Sequence, residues 1–546
     1  MNVAEYIGRE LAGLGAKCAF GLVGSGNFAV TNALIRSGVR FVAARHECAA
    51  VAMADGYARV SGETGIATVH QGPGLTNAMT ALAEAAKSRT PLLLLAADTS
   101  RGAVRSNFRV DQAGLASSVG AVGDHVYTPS SVPADLARAW DMATRQRRTV
   151  VLNLPLDVQA AEAPGRPLPV TPDLRPAAPD AEALGEVARM VAAATRPVIV
   201  GGRGAVVSGA GPALERLGEV TGALLATSAN GNGLFAGNPW HIGISGGFSS
   251  PVAAELMRSA DLLLSFGASL NMWTTRHGGL IGAHTKVVQV DVEASAIGAH
   301  RPVDAGLVGD AALTARRLAR ELEAAGAGSQ GFRTAQVARR IAGGGWRNVA
   351  HTDASTADCI DPRTLCVLLE EILPPDRAVA VDSGHFMGWP AMYLSIADPS
   401  GFVFAQSYQS VGLGLASAVG AAVARPSRLT VACLGDGGAL MAAGEFETIA
   451  RLRLPMLVVV FNDRAYGAEV HHFGPGDHVL DTVRFPDTDF ASFARGLGCE
   501  GITVRSTDDL AGLKKWLESR DRPLVVDAKV VPDVVAEWLE EAFRAH

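Results

Sequence analysis

Short apolar runs that each stop at glycine, proline or a polar residue recur along the chain, and they constrain its fold more than any other feature. From residue 5 to about 160, such runs alternate with helical stretches, as in GIATVHQGPG and TPLLLLAAD. Runs of this kind are typical of buried parallel strands joined by helices. The pattern returns in RPVIVGGRGA and ADLLLSFGAS, and again in LTVACLGDGG and MLVVVFND. We therefore predict an α/β protein with three doubly wound parallel-sheet domains.

The length of the chain also fits three domains. With 546 residues, it is longer than one hydrophobic core supports. Residues 162–180 are rich in proline and lack periodicity, so we predict a linker there, and a second break follows near residues 324–347. The predicted domains span residues 1–162, 183–325 and 359–532, and residues 533–546 are predicted to form a C-terminal helical tail.

Charge and cysteine usage narrow the class of partner. The net charge of −6 is not concentrated in a tail, so no basic surface indicates nucleic acid or an anionic membrane. The six cysteines are scattered, which predicts neither a disulfide framework nor a structural zinc and fits a reducing compartment. The N-terminus carries charges where a signal peptide would be apolar, and no 18-residue uncharged apolar run occurs. We expect a cytoplasmic protein that acts on small molecules.

Two carboxylates are predicted to meet at the edge of the third sheet. One strand ends in GDGG at residues 435–438, where backbone N–H groups and the next helix dipole favour an anion. That helix returns the chain to a second strand, which ends in Asn462 and Asp463. Asp436 and Asp463 would repel each other unless a hard cation such as Mg²⁺ lay between them. Either aspartate alone would more often cap a turn, but the pair predicts a phosphate and metal site.

The spacing of this motif resembles that of a known family. GDG followed after 24 residues by Asn-Asp resembles the diphosphate and Mg²⁺ motif of thiamine diphosphate (ThDP) enzymes, whose usual ending is Asn-Asn. Asp463 adds a negative charge, which should tighten Mg²⁺ and repel diphosphate. The resemblance implies Asp436, Asp463 and the backbone carbonyl of Ala465 as metal ligands. The cofactor-binding residues that it implies here are Gly435, Asp436, Gly437, Gly438, Asp463, Ala465, Tyr466 and Gly467.

The first block resembles the acetolactate synthase and benzoylformate decarboxylase group of this family. The segment RHECAAVAMADGYAR implies that Glu47 is the catalytic carboxylate, although in isolation it would be a helix N-terminal charge. TVHQGPGLTNAM places His70 where benzoylformate decarboxylase has a proton carrier. FGLVGSGNF places Ser25 where the family binds a substrate carboxylate. Both residues would also fit purely structural roles.

One segment departs from the acetolactate synthase pattern. NFRVDQAG aligns with the family's Phe-Gln segment, but Arg109 stands where Gln is expected. Arg109 could bind a substrate carboxylate, and Gln112 is a second candidate for the same corner. An exposed surface position is the alternative for Arg109. The departure counts against a strict acetolactate synthase.

The third block implies the rest of the cofactor site. VDSGHFMG corresponds to the segment that holds the diphosphate from its other side, through Gly384, His385 and Phe386. SYQSVGLGLASAVGA implies that Val411 props ThDP into its bent form and that the Gln409 carbonyl receives the 4′-amino group.

The segment beyond Asp463 corresponds to the family's substrate-side wall. AYGAEVHHFG supplies Ala468, Glu469 and Phe473. Glu469 replaces a residue that is commonly apolar, so it is a candidate second titratable group, or it is simply solvated.

The resemblance covers nearly the entire chain and implies pyrimidine-binding, central and diphosphate-binding domains in that order. It implies a ThDP- and Mg²⁺-dependent 2-oxo acid decarboxylase or carboligase, acetolactate synthase-like, whose enamine is protonated or joined to a second carbonyl. Because the family builds each site from two subunits, a homodimer is the minimum and a homotetramer is expected.

Two alternatives stay open. One is a C–C lyase acting on 2-hydroxyacyl compounds, including CoA thioesters, with Arg203 and Arg276 as cationic candidates. The other is a non-catalytic regulatory homologue. The middle block lacks the Arg-Phe-Asp-Asp loop of FAD-binding acetolactate synthases, so FAD is not favoured, whereas a CoA or ADP site stays open.

Overall fold

Three six-stranded sheets form the framework of the computed structural model, which describes residues 1–169, 172, 174–326 and 331–542. Neighbouring strands run parallel in all three, and helices flank each sheet. The predicted fold class is therefore confirmed. Linker residues 170, 171 and 173, residues 327–330 in the second break, and residues 543–546 of the predicted tail lie outside the described residues.

The first sheet is built from the N-terminal block. Its strands are β1 (Cys18–Gly21), β2 (Arg40–Ala43), β3 (Gly65–Val69), β4 (Leu92–Asp98), β5 (Val122–His125) and β6 (Thr149–Pro155). Its helices are α1 (Val3–Gly13), α2 (Phe28–Arg36), α3 (Glu47–Ser61), α4 (Pro73–Lys87), α5 (Gln112–Ser118), α6 (Val132–Thr144) and α7 (Leu156–Ala160). The strand order is β2-β1-β3-β4-β6-β5. Strands β3, β4 and β6 are almost wholly buried, which explains their continuous apolar runs.

The second sheet has a different strand order. Its strands are β7 (Pro197–Gly201), β8 (Leu224–Thr227), β9 (His241–Ile244), β10 (Leu262–Phe266), β11 (Lys286–Asp291) and β12 (Ala305–Val308). Its helices are α8 (Ala181–Ala193), α9 (Arg203–Val207), α10 (Gly211–Thr221), α11 (Pro251–Arg258), α12 (Met272–Thr275), α13 (Ala311–Ala324) and α14 (Ala335–Gly343). The order β12-β11-β10-β7-β8-β9 is that of the dinucleotide-binding doubly wound fold.

The third sheet repeats the strand order of the first. Its strands are β13 (Arg377–Val381), β14 (Phe402–Phe404), β15 (Leu429–Gly435), β16 (Leu457–Asn462), β17 (Glu500–Val504) and β18 (Leu524–Lys529). Its helices, with the short tail helix last, are α15 (Pro362–Ile372), α16 (Gly388–Tyr393), α17 (Gly414–Ala424), α18 (Asp436–Met441), α19 (Glu445–Arg451), α20 (Gly467–Phe473), α21 (Phe490–Gly496), α22 (Ala511–Ser519) and α23 (Trp538–Ala542). The order is β14-β13-β15-β16-β18-β17.

Helices α3 and α17 pack the first domain against the third. A Cβ atom on Gly56 would lie 2.2 Å from the Ser417 carbonyl oxygen, and one on Gly420 would lie 2.0 Å from the Met53 carbonyl oxygen. Apolar side chains from both domains form one continuous core around this crossing. The two glycines therefore allow the helix backbones to touch, which fixes the relation between the two sheets.

None of the helices in the described parts of the chain has both the length and the apolarity needed to cross a membrane.

Candidate active site

Asp436 and Asp463 leave the third sheet at the ends of neighbouring strands. Strands β15 and β16 pair directly, with Gly435 opposite Phe461. Burial raises the pKa of both carboxyl groups, and the negative charge of Asp436 raises that of Asp463 further. Two carboxyl groups in this relation favour a shared cation, and their oxygens are of the type that Mg²⁺ prefers. The predicted metal site therefore fits the residues present.

The turn after β16 is shaped by Asp463 rather than by Asn462. The backbone N–H of Ala465 donates to Asp463 Oδ1 at 3.2 Å, and Arg464 between them adopts a left-handed φ of 62°. The side chain of Asn462 is buried and donates to Asp527 Oδ1 and to the Thr488 carbonyl. The Asn462 amide therefore holds the end of β16 against β18.

Glycines around this edge make room for neighbouring side chains. A Cβ atom would lie 2.6 Å from the Tyr466 ring if placed on Gly437 and 2.4 Å from Asp463 Oδ2 if placed on Gly467. Both Gly384 and Gly435 face the ring of Phe386, which stacks on Phe461. Backbone and carboxylates can thus approach a common point, as a diphosphate and its metal would require.

His385 lies beside the metal edge and under the C-terminal segment. It lines a cavity of about 10 Å³ together with Asp463, Pro532 and Val534. Its Nε2 accepts a 3.0 Å hydrogen bond from the Ala536 N–H. Burial, with a smaller effect from the adjacent His471, lowers the pKa of His385 to about 3. The ring is therefore neutral, and its proton resides on Nδ1.

The C-terminal segment was not predicted to contribute to this region. Trp538 is buried against Phe248 and Trp273 of the central domain, with ring centroids 6.0 and 5.7 Å apart. A Cβ atom on Gly388 would lie 2.3 Å from Trp538 Nε1. The segment thus links the central domain to the loop that carries His385. The available sequence signal is Trp538 among the apolar residues Val534, Val535 and Leu539, which indicates burial but not where.

Glu47 lies in the first turn of α3, with only 8% of its surface exposed. Its Oε2 accepts a 3.1 Å hydrogen bond from Asn77 Nδ2 of α4. The segment entering α3 is held by the third domain, because the Arg45 N–H donates to Glu445 Oε1 at 2.9 Å. This burial distinguishes Glu47 from an ordinary solvated helix-terminal charge, and its catalytic role remains a prediction.

His70 stands at the end of β3, on the same edge of the first sheet as Ser25. Its Nδ1 accepts a 3.0 Å hydrogen bond from the Gly26 N–H, and the Phe108 ring packs edge-on at 5.1 Å. Burial lowers the pKa of His70, and the charge of Glu47 partly opposes this. The imidazole is therefore neutral with its proton on Nε2. Ser25 is exposed in the adjoining loop.

Gln112 is tied into the protein rather than presented to a ligand. It is 2% exposed, its Oε1 accepts from the Gly72 N–H, and its Nε2 donates to the Ala97 carbonyl and to Asn153 Oδ1. Both amide protons are therefore used. The arrangement does not support Gln112 as a carboxylate ligand, because a donor to substrate would have to leave one of these buried partners.

The remaining candidate site residues are exposed or half-buried. Arg109 is exposed. Burial raises the pKa of Asp98, and the positive charge of Arg109 partly opposes this increase. Glu469 is half-buried in α20, near the exposed ring of Phe473. Val411 is 37% exposed in the loop before α17, and Gln409 in that loop has a left-handed φ of 60°.

Models of three thiamine pyrophosphate enzyme domains match the chain. The N-terminal TPP-binding domain matches residues 1–117, the central domain residues 184–318, and the C-terminal TPP-binding domain residues 382–528. The chain belongs to the thiamine pyrophosphate enzyme family. The predicted family is thus confirmed, and the protein is a ThDP-dependent enzyme that cleaves or forms C–C bonds. This counts against the alternative of a non-catalytic homologue.

The relatives of this ThDP enzyme include a decarboxylase and an acetolactate synthase. It is 30% identical to the probable 2-ketoarginine decarboxylase of Pseudomonas aeruginosa, over 95% of this chain and 92% of the relative. It is 26% identical to the large subunit of acetolactate synthase isozyme 2 of Escherichia coli, over 97% and 96%. The structure of the 4-hydroxybenzoylformate decarboxylase of Rhodococcus jostii RHA1 has the same fold, with a TM-score of 0.81, 22% identity, and coverage of 97% and 99%.

The two cationic candidates for a CoA site in this ThDP enzyme are engaged elsewhere. Arg203 donates to the Ser88 carbonyl and to Thr90 Oγ1. These hydrogen bonds join the central domain to the first domain. Arg276 donates to the carbonyls of Gly246 and Ser249 at 2.9 Å. Both guanidinium groups hold protein backbone, so neither supports recognition of CoA phosphates.

Proposed function

We propose that this enzyme is a Mg²⁺-dependent 2-oxo acid decarboxylase or carboligase, in which Asp436, Asp463 and the Ala465 carbonyl hold the metal. When bound, ThDP supplies a thiazolium that accepts the electron pair released by C–C cleavage. The observation that carries the proposal is the pair of carboxyl groups at adjacent strand ends, buried Asp436 and half-buried Asp463, because their repulsion favours a cation at a glycine-lined edge.

Glu47 would hold a proton at N1′ of the cofactor. A buried carboxyl group is suited to this task because low local polarity strengthens its hydrogen bonds. His70, which is neutral with a proton on Nε2, would deliver or remove a proton at the reacting carbon. Ser25 and Arg109 lie at the same edge and are candidates to bind the substrate carboxylate.

The site is proposed to form between two copies of the chain. Glu47 accepts a hydrogen bond from Asn77 and its charge acts on His70, and within the described residues it bonds to neither Asp436 nor Asp463. Large apolar side chains are exposed beside both halves of the predicted site, and a second copy would bury them. They include Phe28 and Phe108 in the first domain and Val411, Leu440 and Met441 in the third.

The reaction is tested by CO₂ release from a panel of 2-oxo acids with ThDP and Mg²⁺, repeated with aldehyde or oxo-acid acceptors. Aldehyde formation alone identifies a decarboxylase, and acyloin formation identifies a carboligase. His70→Ala should slow aldehyde release by about 10²-fold, the usual contribution of a positioned acid or base. Absence of CO₂ from every acid, with cofactor bound, would contradict the proposal.

A further inference from the structure

Asp382 is a fully buried carboxylate directly after β13, and it lies outside the predicted cofactor ligands. Only 1% of its surface is exposed. Its oxygens accept hydrogen bonds from the backbone N–H groups of Ser383 at 2.9 Å, Gly412 at 3.0 Å and Gly414 at 3.2 Å. Burial raises the pKa of this carboxyl group, and these N–H donors oppose the increase. A buried carboxyl group surrounded by donors has a single preferred orientation.

The donors belong to the loop that leads into α17. This loop carries Gln409, whose φ of 60° is left-handed, and Val411. The hydroxyl of Ser383 lies 3.4 Å from the Gln409 carbonyl oxygen and donates to it. Ser383 therefore holds the loop at Gln409, and Asp382 holds it at Gly412 and Gly414. The second lone pair of the Gln409 carbonyl stays available to accept another hydrogen bond.

Asp382 also packs on the GDGG turn. A Cβ atom on Gly438 would lie 2.3 Å from Asp382 Oδ2, and one on Gly414 would lie 2.4 Å from its Cβ. Gly438 thus leaves room for Asp382, rather than for a phosphate alone. The same carboxylate touches the turn beside Asp436 and the loop beside Val411, which are the two sides of the proposed cofactor site.

We propose that Asp382, supported by Ser383, is a positioning residue that orients the Gln409 carbonyl and Val411 toward the aminopyrimidine of ThDP. The inference rests on the proposed function, in which the 4′-amino group must be aimed at the thiazolium C2 proton. A shift of the loop that carries Gln409 and Val411 would leave the metal contacts at the ends of β15 and β16 in place, and the predicted diphosphate contacts Gly384, His385 and Phe386 also lie outside that loop. Cofactor affinity and cofactor activation are therefore separable.

The test compares Asp382→Asn with Asp261→Asn. The substituted amide keeps an oxygen at Oδ1 but would place its NH₂ group against the Gly412 N–H that now donates to Oδ2, which loosens the loop. Asp261 is the matched control because its carboxylate also accepts backbone N–H groups, from Thr195 and Arg196, but lies in the central domain. The readouts are the Kd for ThDP with Mg²⁺, from tryptophan fluorescence, and the hydrogen–deuterium exchange rate at C2 of bound ThDP.

We expect Asp382→Asn to slow C2 exchange about tenfold or more, equivalent to about 1.4 kcal/mol, while its Kd changes by less than about threefold, equivalent to about 0.7 kcal/mol. Asp261→Asn should change neither. Ser383→Ala removes only the hydroxyl contact with the Gln409 carbonyl and should slow C2 exchange a few-fold. This variant tests the positioning role if Asp382→Asn does not fold.

Unchanged exchange in both site variants would overturn the positioning role, as would a loss of affinity equal to the loss of exchange. A wild-type protein that binds ThDP without accelerating C2 exchange over the free cofactor would instead contradict the proposed function. The two failures are therefore distinguishable.

Discussion

Asp463 is a half-buried carboxyl group beside a second one, Asp436, at the edge of the third sheet. We expect Asp463→Asn to stabilise the metal-free protein by about 1 kcal/mol, a rise in Tm of about 1 °C for a chain of 546 residues, because the repulsion from Asp436 is removed. The increase in Tm produced by adding Mg²⁺ with ThDP should be smaller than in the wild type. Thermal unfolding with EDTA and with Mg²⁺ measures both. A lower Tm than wild type in EDTA would mean that the carboxylate is stabilised by other contacts.

His241 provides a residue-scale prediction for pH. Burial lowers its pKa to about 4, whereas the unfolded chain titrates near its ordinary value of about 6.5. Between these values the unfolded state binds a proton that the folded state does not, so stability falls as the pH falls. The loss reaches about 3 kcal/mol by pH 4. In His241→Phe, which keeps a ring against Phe235, urea unfolding should show a correspondingly weaker loss. Equal pH dependence in both proteins would show that His241 is protonated when folded.

The predictability of single residues depended on their neighbours in sequence. Asp436, Asp463 and Glu47 stand in motifs whose spacing carries information, so they could be proposed from the chain alone. Asp382 could not, since one aspartate before a Ser-Gly pair is typical of an ordinary turn. Gln112 was assigned to a substrate from its position near Arg109, and only the folded chain reveals its buried partners.

At the scale of elements, the crossing of α3 and α17 is a close backbone contact between the two ThDP-binding domains of one chain. We expect Gly56→Ala to lower the free energy of unfolding by about 3 kcal/mol, because the new methyl group would overlap the Ser417 backbone. Chemical denaturation measures the change. Gly13→Ala in α1 is the matched control, since its Cβ would meet no atom within 4 Å. Equal stabilities for the two variants would refute close backbone packing at the crossing.

Strand ends could be predicted better than the contacts between elements. Apolar runs that stop at polar residues mark where each strand delivers its side chains, as β15 and β16 do. The order of strands in the central sheet depends on pairing between distant segments, which local patterning does not specify. The docking of Ala536 on His385 joins residues 151 positions apart, and nothing in the tail indicates that partner.

At the scale of the whole molecule, the proposed dimer makes a quantitative prediction. Glu47→Gln and Asp436→Ala should each be inactive, yet a mixed dimer would hold one intact site, with Glu47 from one copy and Asp436 from the other. If equal amounts exchange freely, about a quarter of all sites become intact. CO₂ release before and after mixing measures the recovery. Mixing Asp436→Ala with Asp463→Ala provides the control and should recover nothing. No recovery in the first mixture would mean that each chain builds its own site.

The most direct test of the central claim is the C2 exchange rate of ThDP bound to the wild type and to Glu47→Gln, because it needs no knowledge of the substrate. We predict that the wild type accelerates exchange over free ThDP and that Glu47→Gln loses about 10²–10⁴-fold of that rate. The variant should still bind ThDP and Mg²⁺, since the metal edge is unaltered. Equal exchange rates in the two proteins, with cofactor bound to both, would contradict the account.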